Sequence, residues 1–250
     1  MLKMYSSLSY LWPFLNPLEE FSKEAERINQ IIHPFVQSGT RPAMLEFGSG
    51  GGRLLSHFTR NFETHGVDLS TDMIKQSKVL NPSTIHTVGD MRSIDLGKAF
   101  DVILIGDSIG YAVSEEDLIS TIGNCAKHLQ SGGVLILAPD WTAETFRGNN
   151  LWSCKVNTHS SEVSLVEYQW QPDNAPGEIH SLFVFMVSGK EDTMVDVDHH
   201  RFGLHSNSVW KAAIDSAQLV GHPVHFLNNE SGLSSLAFIC TLQESALDNT

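Results

Sequence analysis

The sequence contains few cysteines and few basic residues. Its three cysteines, Cys125, Cys154 and Cys240, are odd in number and form no C-x-x-C pair. They indicate neither a disulfide framework nor a thiolate zinc site, so we expect a protein of the reducing cytoplasm. The 16 Lys and Arg residues are outnumbered by 29 Asp and Glu, which gives a net charge of −13. Nucleic acids and anionic membranes are bound through clustered basic side chains, so both partners are disfavoured.

Long apolar runs are also missing. No segment approaches the roughly 20 apolar residues that cross a bilayer, and the apolar first residues lack the cleavage pattern of a signal peptide. The remaining composition, 41% hydrophobic and 18% charged over 250 residues, is typical of a globular core domain with a sizeable insertion. The oligomeric state stays open, with a homodimer among the expected assemblies.

Hydrophobic spacing predicts an α/β fold in the first half of the chain. A helix from Asn16 to about His33 is followed, from Ala43 to about residue 140, by the order β-α-β-α-β-β-α-β. The continuous apolar runs 102–105 and 134–137 are typical of strands buried on both faces of a parallel sheet. Short right-handed connections turn this order into a doubly wound sheet.

Beyond residue 150 the period changes to two. The pattern between Leu151 and Leu204 predicts an inserted antiparallel sheet, after which helical spacing returns and two final strands follow. Glycines are predicted to end two helices, the first at Ser131-Gly132-Gly133 and the second at Gly221.

A glycine-rich turn follows the first strand. This turn is the segment Glu46-Phe47-Gly48-Ser49-Gly50-Gly51-Gly52. Its glycines have no side chains, so a ligand could approach the backbone and the N-terminus of the next helix. Arg53 stands where G-x-G-x-x-G requires its last glycine, so the dinucleotide fingerprint is broken. The acid at position 46 favours a ligand with positive charge, such as a sulfonium that carries an α-amino group.

This segment resembles the first motif of class I S-adenosylmethionine (SAM) dependent methyltransferases. The resemblance implies a Rossmann-like, mostly parallel seven-stranded sheet with an antiparallel last strand, and SAM as the cofactor. It places Asp68 on the ribose hydroxyls, Gly89-Asp90-Met91 at the adenine and Asp107-Ser108 on the substrate side. The full set of expected cofactor residues is Glu46, Gly48, Ser49, Gly50, Gly52, Asp68, Leu69, Met73, Gly89, Asp90, Met91, Asp107 and Ser108.

Other segments are similar to small-molecule methyltransferases, notably the amino-sugar N,N-dimethyltransferases of bacterial natural-product pathways. These segments are the N-terminal helix, Pro139-Asp140-Trp141, Glu144-Thr145-Phe146 and 200–204. The likeness implies a helical cap (1–36), a SAM-binding core (37–150 and 205–250) and an antiparallel β lid over the acceptor site (151–204). The acceptor is then an amine of specialised metabolism. After the fourth strand, Asp107-Ser108-Ile109-Gly110 lacks the Asn/Asp-Pro-Pro-aromatic motif of nucleobase methyltransferases, which again disfavours nucleic acid.

The acceptor must lose a proton before or during methyl transfer, so a base at the pocket mouth is expected. The candidate catalytic residues are Asp140 and His200; His180 is a further candidate, and Asp107 lies nearer the cofactor. Aromatic residues could form a cage over a cationic or apolar acceptor. The expected substrate-binding residues are Tyr10, Trp12, Trp141, Tyr168 and His180, and Tyr5 and Trp170 could join this cage.

Several alternatives stay open at this point. His199 and His200 are adjacent in a strand and point to opposite faces, so they cannot share an ion, and we predict no metal site. Methylation of oxygen or carbon, another SAM-dependent alkyl transfer or cyclisation, and a SAM-binding protein without turnover remain as functions. A nicotinamide-dependent oxidoreductase is disfavoured by Arg53.

Overall fold

A computed structural model describes residues 2–36, 41–189, 192–228 and 234–243. Its helices are α1 (Trp12–Leu15), α2 (Ser22–Ile32), α3 (Arg53–Ser56), α4 (Thr71–Leu80), α5 (Glu115–His128) and α6 (Asn207–Ser216). Its strands are β1 (Ala43–Phe47), β2 (Glu63–Asp68), β3 (Ile85–Val88), β4 (Phe100–Ile105), β5 (Leu129–Leu137), β6 (Asn150–Asn157), β7 (Glu162–Trp170), β8 (Glu178–Ser188), β9 (Thr193–Gly203), β10 (Leu219–Asn228) and β11 (Ser234–Leu242).

The larger sheet has seven strands in the order β10-β11-β5-β4-β1-β2-β3. Strands β1 to β5 pair in parallel, whereas β11 is antiparallel to both of its neighbours. The prediction of a doubly wound sheet with an antiparallel last strand is confirmed. Helices cover both faces of this sheet, and alternate residues of β4 point to opposite faces. Ile103 and Ile105 pack under α5 and α6, while Val102 and Leu104 pack under α2 and α3.

The smaller sheet is an antiparallel meander in the order β6-β7-β8-β9, as the period of two predicts. One of its faces packs against the N-terminal segment. Val163, Leu165, Phe183 and Phe185 of β7 and β8 form a core with four residues of that segment, namely Met4, Leu8, Leu11 and Leu15. The first residues of the chain therefore lie against the smaller sheet, although the two segments are far apart in the sequence.

The glycines predicted to end helices lie inside strands instead. Helix α5 ends at His128, and β5 already begins at Leu129, before Ser131-Gly132-Gly133. Helix α6 ends at Ser216, and Gly221 lies in β10. A Cβ at Gly221 would come within 2.9 Å of Ile214 Cγ2 and 3.0 Å of Cys240 Sγ. This glycine therefore lets α6 approach the sheet closely and does not terminate a helix.

The N-terminal helix is shorter than expected. The predicted helix from Asn16 to His33 begins as a 3-10 turn over Leu18–Phe21, becomes α2, and continues as a second 3-10 turn over His33–Phe35. Of the expected core ranges, residues 37–40, 229–233 and 244–250 lie outside the described residues. Within the described ranges, no helix is long and apolar enough to cross a membrane.

Candidate active site

A crevice of about 340 Å³ opens at the carboxyl ends of β1 to β4. Strands β1 and β4 are neighbours here although the chain makes a crossover between them, and such a switch point is where open α/β sheets bind ligands. The crevice wall contains most of the expected cofactor residues, namely Gly48, Gly50, Asp68, Leu69, Gly89, Asp90, Met91, Asp107 and Ser108.

The glycine turn owes its shape to three left-handed residues. Gly48, Gly50 and Gly52 have φ values of +66°, +51° and +73°, where side chains are strained. A Cβ would lie 2.2 Å from Ser108 Oγ at Gly48 and 2.1 Å from Ser77 Oγ at Gly52. At Gly50 a Cβ would meet no described atom within 4 Å. Two of the glycines thus allow close packing, and Gly50 leaves the backbone open to the crevice.

Asp68 is held by the same turn. Its Oδ2 accepts a hydrogen bond of 2.8 Å from the Gly50 amide, and its Oδ1 accepts one of 2.7 Å from the Ser70 amide. Burial raises the pKa of Asp68, and these two backbone bonds partly oppose the shift. Each oxygen keeps a second lone pair, so the fixed carboxylate can accept from two vicinal hydroxyls.

The far wall of the crevice combines apolar and charged groups. Leu69, which is 60% exposed, and Met91 offer an apolar surface for a ring. The Asp90 carboxylate accepts hydrogen bonds from Arg92, at 3.0 Å from Nε and 2.6 Å from Nη2. This bonding is the main reason that the pKa of Asp90 is lowered. Arg92 was not among the expected site residues. It also donates to Asp117 at 2.8 Å, and this second bond holds the guanidinium in place beside Asp90.

Carboxyl groups without a cationic partner surround the β1 end of the crevice. Glu46 is buried beneath the glycine turn, and its Oε2 has no hydrogen-bond partner among the described residues. Burial first, and then the charge of Glu24, raise the pKa of Glu46 well above its ordinary value. Burial also raises the pKa of Glu24 to about 7. A ligand with positive charge would restore the missing counter-charge here.

Asp140 extends this acidic region beyond β5. Its side chain is exposed, but partial desolvation by the surrounding protein atoms raises its pKa to about 8, with further contributions from Asp107 and Glu167. Partial desolvation likewise raises the pKa of Asp107, whose side chain is also exposed. A cationic sulfonium with hydroxyl groups and an apolar ring therefore suits this crevice: acids lie on several sides, Asp68 can take the hydroxyls and Leu69 the ring.

Aromatic side chains from the N-terminal segment line the opposite side. Trp12 lies in the crevice as expected, and its ring centroid is 5.5 Å from that of Tyr5. Tyr5 in turn meets Tyr111, which ends a 3-10 turn after β4. Tyr111 was missed by the sequence analysis, although a tyrosine three residues after Asp107-Ser108 was a usable signal.

Several expected site residues lie away from the crevice. Tyr10 is 53% exposed, and Met73 is fully buried in α4. Trp141 packs on Phe146 in a separate small core. Tyr168 and His180 lie on the outward face of the smaller sheet, because the alternation of β7 and β8 turns Glu167 and Ser181 inward. A period of two predicts two faces but does not say which one meets the crevice.

Of the remaining expected residues, Ser49 and Gly52 lie behind the turn and outside the crevice wall. His200 is fully buried and lies behind Tyr111, with Nδ1 2.8 Å from the Tyr111 hydroxyl. Its ring also lies 5.7 Å from that of Tyr5, so His200 contacts two residues of the crevice wall but is not itself part of that wall.

Comparison with known proteins decides the family. A family model described as a methyltransferase domain matches residues 45–135. The dTDP-3-amino-3,4,6-trideoxy-alpha-D-glucopyranose N,N-dimethyltransferase of Streptomyces venezuelae is 30% identical over 210 residues, which cover 82% of this chain and 86% of the relative. The chain belongs to the sugar N,N-dimethyltransferase family of SAM-dependent methyltransferases.

Two further likenesses agree with this membership. The dTDP-3-amino-3,6-dideoxy-alpha-D-glucopyranose N,N-dimethyltransferase of Streptomyces fradiae is 24% identical over 205 residues, covering 80% of this chain and 78% of the relative. The crystal structure of DesVI from Streptomyces venezuelae superposes with a TM-score of 0.78 at 25% identity, covering 90% of this chain and 92% of DesVI. The protein is thus a methyltransferase whose cofactor is SAM.

Removal of the Asp68 carboxylate tests the cofactor site. We expect Asp68→Ala to weaken SAM binding by about 1–3 kcal/mol, because the ribose hydroxyls would lose their acceptor. Isothermal titration calorimetry measures the change. Asp72→Ala is the matched control, since Asp72 lies in α4, pairs with Lys75 and is not part of the crevice wall. Equal affinity of a folded Asp68→Ala variant and the wild type would contradict the assignment.

The unpaired carboxyls predict proton release when SAM binds. With pKa values raised to about 8 and about 7, Asp140 carries a proton in most molecules at pH 7 in the free protein, and Glu24 in about half of them. A cation nearby lowers both pKa values, so protons leave. The enthalpy of SAM binding at pH 7 should then differ between phosphate and Tris buffers. S-adenosylhomocysteine, without the sulfonium charge, should release fewer protons; equal enthalpies for SAM in both buffers would refute the prediction.

Proposed function

We propose that this methyltransferase transfers methyl groups from SAM to the amino group of a nucleotide-linked aminodeoxy sugar, in two rounds that yield the N,N-dimethyl product. The observation that carries the proposal is the crevice rich in unpaired acids, with Asp107 in its wall. Amino sugars enter as ammonium ions, which such a crevice attracts. The two Streptomyces relatives named above are both N,N-dimethyltransferases of dTDP-linked amino deoxysugars, which supports the same acceptor class here.

The proposed roles divide the crevice. Glu46, the glycine turn, Asp68, Leu69 and Met91 hold SAM. Asp107 and Asp140 hold the acceptor ammonium beside Tyr5, whose own pKa is raised chiefly by burial and then by the charge of Asp107. Alignment of amine nitrogen, methyl carbon and sulfur in one line is the main contribution of the protein, worth on the order of 7–11 kcal/mol.

The parts of the chain take matching roles in the proposal. Residues 37–150 and 205–250 hold the cofactor, while 1–36 and 151–204 close over the acceptor. The contacts of the N-terminal segment support this division. Its apolar residues pack on the smaller sheet, and it is tied to the core because Ser70 Oγ donates to the Tyr5 carbonyl and Gln76 Nε2 donates to the Ser9 carbonyl at 2.7 Å.

The proposal includes a cytoplasmic enzyme that acts on a small molecule and has neither a nucleic-acid nor a membrane partner. The three cysteines are free thiols, and Cys125 and Cys240 are buried. A net charge of −13 is unfavourable for phosphate backbones and anionic lipids.

The acceptor is tested with SAM that carries an isotopically labelled methyl group. Incubation with a dTDP-linked 3-aminodeoxy sugar should give a monomethylated and then a dimethylated amine, observed by mass spectrometry. The same sugar with a hydroxyl in place of the amine is the control and should stay unlabelled. Asp140→Asn should lower kcat at saturating SAM at least tenfold, whereas Asp215→Asn, on the exposed surface of α6, should not. If only the sugar with the hydroxyl became labelled, the enzyme would methylate oxygen and the proposed N-methylation would be wrong.

We further propose that two copies associate through the outward face of the smaller sheet. This face exposes apolar side chains, with Leu151 73%, Val195 61%, Val197 44% and Tyr168 39% accessible. Its charged residues are balanced in two ion pairs, Lys155 with Glu162 and Arg201 with Glu178. In a chain of net charge −13, a neutral apolar face is where a second copy approaches with least repulsion, and sheets commonly pack face to face.

Light scattering tests the assembly. The wild type should have the mass of a dimer, and Val197→Glu should have the mass of a monomer because a buried charge opposes association. Val79→Glu is the control, since Val79 is 84% exposed on α4, outside the smaller sheet. A monomeric wild type, or a Val197→Glu variant that remains a dimer, would exclude this interface.

A further inference from the structure

A continuous chain of hydrogen bonds leads from the crevice to a buried carboxylate. Tyr5 and Tyr111 both lie in the crevice wall, and the Tyr111 hydroxyl donates to the Tyr5 hydroxyl at 2.9 Å. The Tyr111 hydroxyl is 2.8 Å from Nδ1 of His200, and Nε2 of His200 is 3.0 Å from Oδ2 of Asp198. His200 is fully buried and Asp198 is 7% exposed. The two ends of this chain therefore differ: one lies in the crevice wall and the other is buried.

The carboxylate end determines how the hydrogens are arranged. A carboxylate only accepts, so Nε2 of His200 carries a hydrogen that it donates to Asp198. The Met4 amide donates to the same Oδ2 at 2.7 Å and holds the carboxylate in place. In the neutral imidazole, Nδ1 then has a free lone pair directed at the Tyr111 hydroxyl. When the Tyr111 O–H rotates from Tyr5 to this lone pair, Tyr5 can donate to Tyr111, and the chain can then receive a proton from the crevice side.

We propose that Tyr5, Tyr111, His200 and Asp198 form a relay that removes the proton of the acceptor ammonium. The inference rests on the proposed function, because it assumes an amine acceptor. Tyr5 is the member that contacts the acceptor, and the other three act through it.

The relay balances in protons and electrons. The ammonium N–H proton passes to the Tyr5 oxygen, the Tyr5 proton passes to the Tyr111 oxygen, and the Tyr111 proton passes to Nδ1 of His200. The electron pair of the broken N–H bond stays on nitrogen, which then attacks the methyl carbon as the carbon–sulfur bond breaks. His200 ends as an imidazolium beside the Asp198 carboxylate. Reversal of the same steps returns the proton to water after product leaves.

The acid–base properties of the members suit these parts. Burial raises the pKa values of Tyr5 and Tyr111, so both hydroxyls stay protonated and conduct protons without acting as bases. Burial lowers the pKa of His200 while the hydrogen bond to Asp198 opposes the shift. His200 is therefore neutral at pH 7 and free to accept.

Charged and titratable groups face the relay from every neighbouring element. Asp107 lies at the start of the turn that ends in Tyr111, and its charge acts on both tyrosines. Glu167 of β7 is reached through Ser181, which pairs with His200 across β8 and β9. The charges of Asp68 and Asp140 also act on Tyr5. His199 lies beside His200, and at the N-terminus Lys3 pairs with Asp196. The carboxylates exceed the cations, which stabilises an imidazolium at His200.

Tyr111→Phe breaks the relay and keeps the ring that packs on Phe202 and Tyr5. We expect kcat of the wild type with the dTDP-linked amino sugar to be nearly flat between pH 7 and 9. In Tyr111→Phe, kcat at pH 7 should fall at least tenfold and rise roughly tenfold per pH unit toward the pKa of the amine, with KM for SAM unchanged. His200→Gln should give the same profile. A merely structural role would lower kcat without changing its dependence on pH.

The control is His222→Gln, since His222 is an exposed strand histidine in β10, and its profile should match that of the wild type. A Tyr111→Phe variant with the profile of the wild type would overturn the relay. A wild type that methylates no amino sugar would instead overturn the proposed function. Nitrogen NMR of histidine-labelled protein separates the two without an acceptor: the relay requires the Nε2–H tautomer at His200, and the Nδ1–H tautomer would refute it.

Discussion

Parallel strands end at one edge of a sheet, and in this protein that edge collects negative charge. Glu46 is the next-to-last residue of β1, Asp68 is the last residue of β2, and Asp107 and Asp140 follow β4 and β5. None of the four forms an ion pair with a described Lys or Arg side chain. Hydrophobic packing on both faces of the sheet holds the strands, and therefore these carboxyl groups, in place. Because the surrounding protein atoms desolvate the carboxyl groups, their pKa values are raised. The site is therefore built for a cation before any ligand arrives.

The second structural requirement is closure of this edge from far away in the sequence. The N-terminal segment reaches the crevice because its apolar residues are buried against the smaller sheet. That packing brings Tyr5 to Tyr111 and brings the Met4 amide to Asp198. Core packing and chemistry are thus joined: the contacts that seat the first residues of the chain also complete the hydrogen-bond chain to His200.

Arg92 illustrates a different balance. It forms ion pairs with Asp90 and Asp117 at the rim of the crevice, so the carboxylate at the β3 end has a cationic partner, whereas the carboxyls at the β1 end do not. The contrast suits a ligand whose charge is at one end only. A sulfonium with an α-ammonium group beside it, and a neutral base at the other end, has this distribution.

The order of strands and helices, the glycine turn and the acids at strand ends could all be read from the sequence, because local periodicity and turn chemistry carry that information. The broken dinucleotide fingerprint at Arg53 and the resemblance of residues 46–52 were sufficient to predict SAM. Membership in the methyltransferase family agrees with both. The expected cofactor residues Gly48, Asp68 and Asp107 lie close together because each follows or ends one of the neighbouring parallel strands β1, β2 and β4. The alternation of strands and helices in the sequence is what predicted this parallel sheet.

Tertiary structure alone decided which aromatic residues meet the crevice. Trp12 enters it and Tyr168 does not, although both are aromatic residues in predicted acceptor elements. A sequence with period two cannot say which face of β7 turns inward, since that depends on what packs against it. The same holds for His200 and Tyr111, which are 89 positions apart: their contact depends on how two sheets are placed, and no local pattern encodes that placement.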